Sequence, residues 1–237
     1  MTLDTQIQTD FNSGLSSAIA DAKAKDLSIL FSYTFQFESL DLLPLLSHPA
    51  DKNACRIYWE QPLEGFALAG LGKILEINSG SNESMDSINE NINSYFEHSI
   101  HVSNHPSAGP RFLGGHSFNL NTDSDKTWGA FPRASYILPE CLATLNPDGC
   151  WLTISKMVTK DDNHKSILRE FTRNCTHYEK RLPVTLPPLR YVSVDKYKDI
   201  PNRKEYDEII YSVLEEIRPE KLEKVVISRS HQVKVGE

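Results

Sequence analysis

The sequence predicts an α+β protein. Four helices with apolar faces are spread along it, an aromatic-rich stretch alternates with period two, and further strand-like runs are joined by short turns. Its 237 residues suffice for one large domain or one and a half ordinary ones. A hydrophobic content of 39% and a charged content of 24% fit a globular chain. The net charge of -7 argues against a general nucleic-acid binder but leaves an anionic small substrate open, because local charge decides that. No apolar run approaches the roughly 20 residues that cross a bilayer. The first residues, Met1 to Thr5, carry neither the basic nor the apolar region of a secretory signal. Cys55, Cys141, Cys150 and Cys175 are widely spaced, which reads as free thiols in a reducing cytoplasm.

Ile7, Phe11, Leu15, Ala18, Ile19 and Ala22 form the stripe of a first helix. Leu27, Ile29, Phe31, Tyr33, Phe35 and Phe37 then alternate with Ser28, Leu30, Ser32, Thr34 and Gln36, which predicts a strand buried on one face only. Residues 42–46, interrupted by Pro44, read as a turn or short helix. Strands are expected over 56–60 and 65–74, joined by Pro62-Leu63-Glu64. Gly65 and Gly70 with Lys73 suggest a phosphate loop, but Leu71 occupies the position where that motif needs lysine. Met85, Ile88, Ile92, Tyr95 and Phe96 mark a second helix ending near His98.

His98, His101, His105 and His116 cross a helix end into a Pro/Gly loop without cysteine or carboxylate at ligand spacing, so they are read as ordinary histidines and no metal ligand is assigned. Gly114 and Gly115 within a strand pattern imply a bulge or a close backbone approach. Residues 134–143 and 150–157 read as two strands joined through Asn146-Pro147-Asp148-Gly149. Asp161 to Asn163 caps a helix that turns Ile167, Leu168 and Phe171 inward. Pro183, Pro187 and Pro188 make a rigid connector, and the expected division is an N-terminal subdomain over 1–200 with a second domain opening at 201.

The last stretch carries the chemistry. Tyr206, Ile209, Ile210, Val213, Leu214 and Ile217 make one helical stripe, and Pro219 stops the helix. Lys224-Val225-Val226-Ile227-Ser228-Arg229 follows and reads as a strand with both faces at least partly covered. A lysine half-buried at its start loses hydration, its pKa falls, and it can take a proton near neutral pH. Most lysines at strand starts are instead solvated ends.

The segment from Tyr206 to Arg229 resembles the opening of the chorismate-binding domain shared by isochorismate, salicylate, anthranilate and aminodeoxychorismate synthases. Phe112-x-Gly114-Gly115-x-x-Phe118 with Trp128, Phe131-Pro132 and Leu138-Pro139 resembles the isochorismate synthases. So does the run from Tyr58-Trp59-Glu60 to Ala69-Gly70-Leu71-Gly72.

The resemblance implies large antiparallel sheets flanked by helices, chorismate as a small-molecule substrate and Mg²⁺ as cofactor, without nucleic-acid or membrane partners. It implies that Lys224 is the base that activates water, since the ammonia-using members usually lack lysine there. Arg229 is expected to be an ion-pair partner rather than a substrate clamp. The implied activity is conversion of chorismate to isochorismate in the cytoplasm, for menaquinone or siderophore synthesis. Salicylate synthase and a non-catalytic scaffold domain are the alternatives. The family's acid glutamate, Mg²⁺-binding glutamates and substrate-binding arginine and tyrosine belong to a C-terminal half that would lie beyond Glu237. The sequence therefore reads as truncated before most of the catalytic half, and these 237 residues are expected to be inactive alone.

Overall fold

The computed structural model describes residues 5–39, 41–47, 54–79, 83–103, 105–106, 108–118, 131–180, 194–218 and 223–235. It is an α+β structure with mainly antiparallel sheets, as the sequence predicts. The chain divides into two compact units, Met1–Leu186 and Pro187–Glu237.

In the first unit the elements follow in order as α1 (Thr5–Lys25), β1 (Ile29–Phe37), α2 (Leu43–Leu46), β2 (Arg56–Gln61), β3 (Phe66–Leu71), β4 (Leu75–Asn78), α3 (Met85–Glu97), β5 (Ile100–Val102), β6 (Leu113–His116), β7 (Ala134–Leu138), β8 (Cys141–Asn146), β9 (Gly149–Val158) and α4 (His164–Glu179). Six strands form one sheet in the order β2-β3-β8-β9-β1-β5. Every pair in it is antiparallel except β1 with β5.

One face of this sheet packs on α1 and α4. Phe11 of α1 meets Phe31, Tyr33 and Phe171 edge-on at centroid distances of 5.4, 5.1 and 5.3 Å. These rings lie at the centre of the core, and burying one such side chain contributes about 1.5–3 kcal/mol. Gly14 lets α1 come close to the sheet, since a Cβ there would stand 2.4 Å from the Val102 side chain.

The second face of β1 corrects the expectation of a half-buried strand. Leu30, Ser32 and Thr34 are as deeply buried as Phe31 and Tyr33. β1 lies between β9 and β5 in the sheet interior, and its hydroxyls find partners there. Ser32 Oγ meets Ser155 Oγ at 2.8 Å, and Thr34 Oγ1 meets Thr153 Oγ1 at 2.8 Å and His101 Nε2 at 2.9 Å. Short hydroxyls can be buried at little cost when paired, so a polar alternation does not by itself mean a wet face.

A second sheet, β4-β7-β6, is antiparallel and packs Ile77 and Ala134 against Ile88 of α3. Gly114 lies hard against β7: a Cβ there would fall 1.9 Å from the Ser135 carbonyl oxygen. The close approach expected from the glycine pair is thus real. The expected single strand over 134–143 is two strands in different sheets, broken at Pro139-Glu140. Pro139 has no N–H to continue a ladder, and its ring packs on Gly70 of β3.

The second unit contains β10 (Val194–Ile200), α5 (Arg203–Ile217) and β11 (Ser230–Val235). β10 and β11 form an antiparallel pair. The expected division after residue 200 falls at the end of β10, which shares this unit with its partner β11. The connector at 183–188 and the motif residue Trp128 lie outside the described residues.

Candidate functional site

α5 opens on a reciprocal cap. The Asn202 side chain accepts from the Glu205 N–H at 3.1 Å, and Glu205 Oε2 accepts from the Asn202 N–H at 2.9 Å. Arg203 adds an i,i+4 pair to Asp207 at 3.0 Å. The apolar stripe lies on this helix, yet none of its residues is buried among the described residues, and Ile209 and Leu214 are more than two-fifths exposed.

After α5 the chain returns through residues 224–229. The structure corrects the strand expected here. These six residues carry no ladder pairing, and β11 begins only at Ser230. The register explains it: Ile200 pairs Ser230, so Arg229 would face Pro201, which has no N–H to donate. Val226 is 81% exposed, and Lys224 is exposed as well. The half-burial expected of Lys224 is therefore not supplied by the described residues of its own unit.

Arg229 is held firmly. Its guanidinium forms an ion pair with Asp199 of β10, and it stands over the Tyr206 ring at 5.6 Å. The other Asp199 oxygen bonds His231 Nδ1 directly across the ladder, and Tyr197 stacks on that imidazole at 5.2 Å. Arg229 and Asp199 are each about a quarter exposed, so their attraction is less screened than at an open surface. The ion-pair role expected of Arg229 is thus present. Its partner Asp199, and the His231 that shares that carboxylate, were not legible as such. Val194, Tyr197 and Ile200 before Pro201 are the strand-forming signal that marks β10.

The histidines of the first unit do not converge. His101 Nε2 lies 2.9 Å from Thr34 Oγ1, and desolvation of the imidazole lowers its pKa. His105 stacks on Trp151 at 3.9 Å, and His116 Nδ1 lies 2.8 Å from the Ser117 carbonyl. Among the described residues no three His, Cys, Asp or Glu side chains stand together as a metal set. The described residues therefore offer no set that fits the implied Mg²⁺, and no ligand of it is assigned. None of the four cysteines is in a disulfide, and burial pushes the Cys150 thiol up to about 12. Among the described residues no helix is long and apolar enough to cross a membrane.

The second unit thus runs from β10 through a capped helix and Lys-Val-Val-Ile-Ser-Arg into β11, which pairs with β10, and the first unit holds the large mainly antiparallel sheet. The chain belongs to the chorismate-binding enzyme family, whose model, described as "Chorismate binding enzyme", matches residues 17–237. It is 26% identical over 172 residues to isochorismate synthase MenF of Bacillus subtilis (strain 168), a match covering 69% of this chain and 36% of that protein. It is also similar in structure to MenF, the menaquinone-specific isochorismate synthase from Escherichia coli, with a TM-score of 0.49 and 14% identity over 94% of this chain and 47% of that one. The chain thus spans little more than a third of the length of the curated relative it matches.

Proposed function

We propose that this chain carries the water-activating side of an isochorismate synthase. Family membership over a stretch that includes Lys224, together with a curated relative named isochorismate synthase, is the observation that supports the reading. In this role Lys224 Nζ, uncharged, takes a proton from the water that adds at C2 of chorismate. The hydroxyl at C4 departs with a proton from an acid that no residue described here supplies, so the ring keeps its oxidation state. Mg²⁺ would supply charge stabilisation for the substrate carboxylate, and no described residue is assigned to hold it. The exposed position of Lys224 requires a further surface to close over it before its ammonium is desolvated enough to act as a base. A cytoplasmic location and service to menaquinone or siderophore synthesis go with this reading.

The test uses protein expressed from the longest reading frame that contains these residues. Incubated with chorismate and Mg²⁺, it should yield isochorismate without salicylate or pyruvate. Lys224→Ala should lower turnover by about 10²–10⁴-fold while leaving the circular dichroism spectrum unchanged. Salicylate with pyruvate would move the assignment to salicylate synthase, and no consumption of chorismate would leave a binding domain. The 237 residues alone should turn nothing over.

A further inference from the structure

Asp199 ties the end of the stretch after Lys224 to the rest of its unit. Its carboxylate pairs with Arg229 through one oxygen and with His231 through the other. Arg229 in turn stands over Tyr206 in the first turn of α5. The stretch 224–229 has no ladder bonds of its own, so this cluster anchors its C-terminal end.

The lengths match as well. α5 rises about 17 Å from Tyr206 to Ile217 at 1.5 Å per residue. Five extended residues from Arg229 back to Lys224 cover about 17 Å. With Arg229 fixed beside Tyr206, a fully extended stretch reaches back at most about as far as α5 runs to its last turn. The length of chain and the anchor at Arg229 together set where the lysine can be.

We propose that Asp199 is a positioning residue for Lys224, acting through the Arg229 anchor. The proposal rests on the reading of Lys224 as the base. Asp199 does not touch substrate. It supplies the negative charge without which Arg229 would be partly buried and unpaired, and would leave Tyr206 for solvent. The carboxylate charge matters rather than its shape, so Asp199→Asn removes the anchor while keeping the volume, and Asp199→Glu restores it.

Two measurements test this. Backbone ¹⁵N relaxation on the 237-residue chain reads the anchor independently of catalysis. In Asp199→Asn the order parameters of residues 227–229 should fall from about 0.85 to below about 0.6, those of Tyr197 and Val233 in the ladder should hold, and Asp199→Glu should recover the loss. Unchanged values at 227–229, or an equal loss across the ladder, would overturn the proposal. The second measurement is turnover by the protein from the longest frame. There Asp199→Asn should lower kcat at least tenfold with KM within twofold, and Asp199→Glu should regain most of it. Order lost at 227–229 with kcat unchanged would sink the positioning role. A Lys224→Ala variant with undiminished turnover, beside a disordered Asp199→Asn stretch, would instead fault the reading of Lys224 as the base.

Discussion

β1 and the stretch 224–229 are both branched or aromatic apolar runs next to an amphipathic helix, and they end in opposite states. β1 is buried on both faces, with paired hydroxyls on one and a ring cluster on the other. Residues 224–229 are mostly exposed and unladdered. Residue type does not separate them; the partners do. β1 has β9 and β5 at its sides and α1 and α4 over one face, all within its own unit. The later stretch meets Pro201 where a ladder partner would be. An apolar pattern states what a segment can bury, and the chain around it decides whether it does.

The contrast can be broken most severely at the β1 end. Phe31→Ala should cost about 3–5 kcal/mol, because Phe31 is fully buried between Phe11 and Phe171 and the cavity cannot close. Tryptophan fluorescence in a urea titration reads this, since Trp59, Trp128 and Trp151 all belong to the first unit. A loss below about 1 kcal/mol would mean that the ring cluster repacks.

A smaller effect sharpens what a partner does for a charge. Glu140, at the break between β7 and β8, has its pKa raised by burial and by the nearby Glu170 carboxylate, despite the bond it accepts from Asn174 at 2.9 Å. A carboxyl whose folded pKa lies above its unfolded value contributes stability below the unfolded pKa and loses it as pH rises through the folded one. Glu140→Gln should therefore raise the urea midpoint at pH 8 and leave it unchanged at pH 4. An equal shift at both would sink the charge argument.

The smallest effect is expected at the other end of the comparison. Ile209→Ala on α5 should change stability by no more than about 0.5 kcal/mol in the 237-residue chain, since that side chain is two-fifths exposed. Thermal melting followed by circular dichroism is the check, and a loss above about 1.5 kcal/mol would show that the stripe is covered in solution.

Much of the fold was legible. The stripe from Phe11 to Ala22, the turn at 146–149 and the cap at Asn163 translate directly into α1, the β8–β9 hairpin and α4, because each signal is local. The second burial of β1 was not, because a serine or threonine looks the same whether it bonds water or Ser155. The split at Pro139 was masked by the apolar residues on both sides of it. At the candidate site the sequence singled out Lys224 and gave Arg229 its ion-pair role. Asp199 and His231 escaped because their meeting with Arg229 depends on the register of β10 with β11, a pairing across more than 30 residues of chain.

The corner at Pro139 has a mechanical consequence for the first unit. Two residues carry the chain from the three-stranded sheet into the six-stranded one, and the proline ring is seated on Gly70. With so little slack, neither sheet can slide or peel without dragging the other, so heat or denaturant should dissolve both in a single cooperative event.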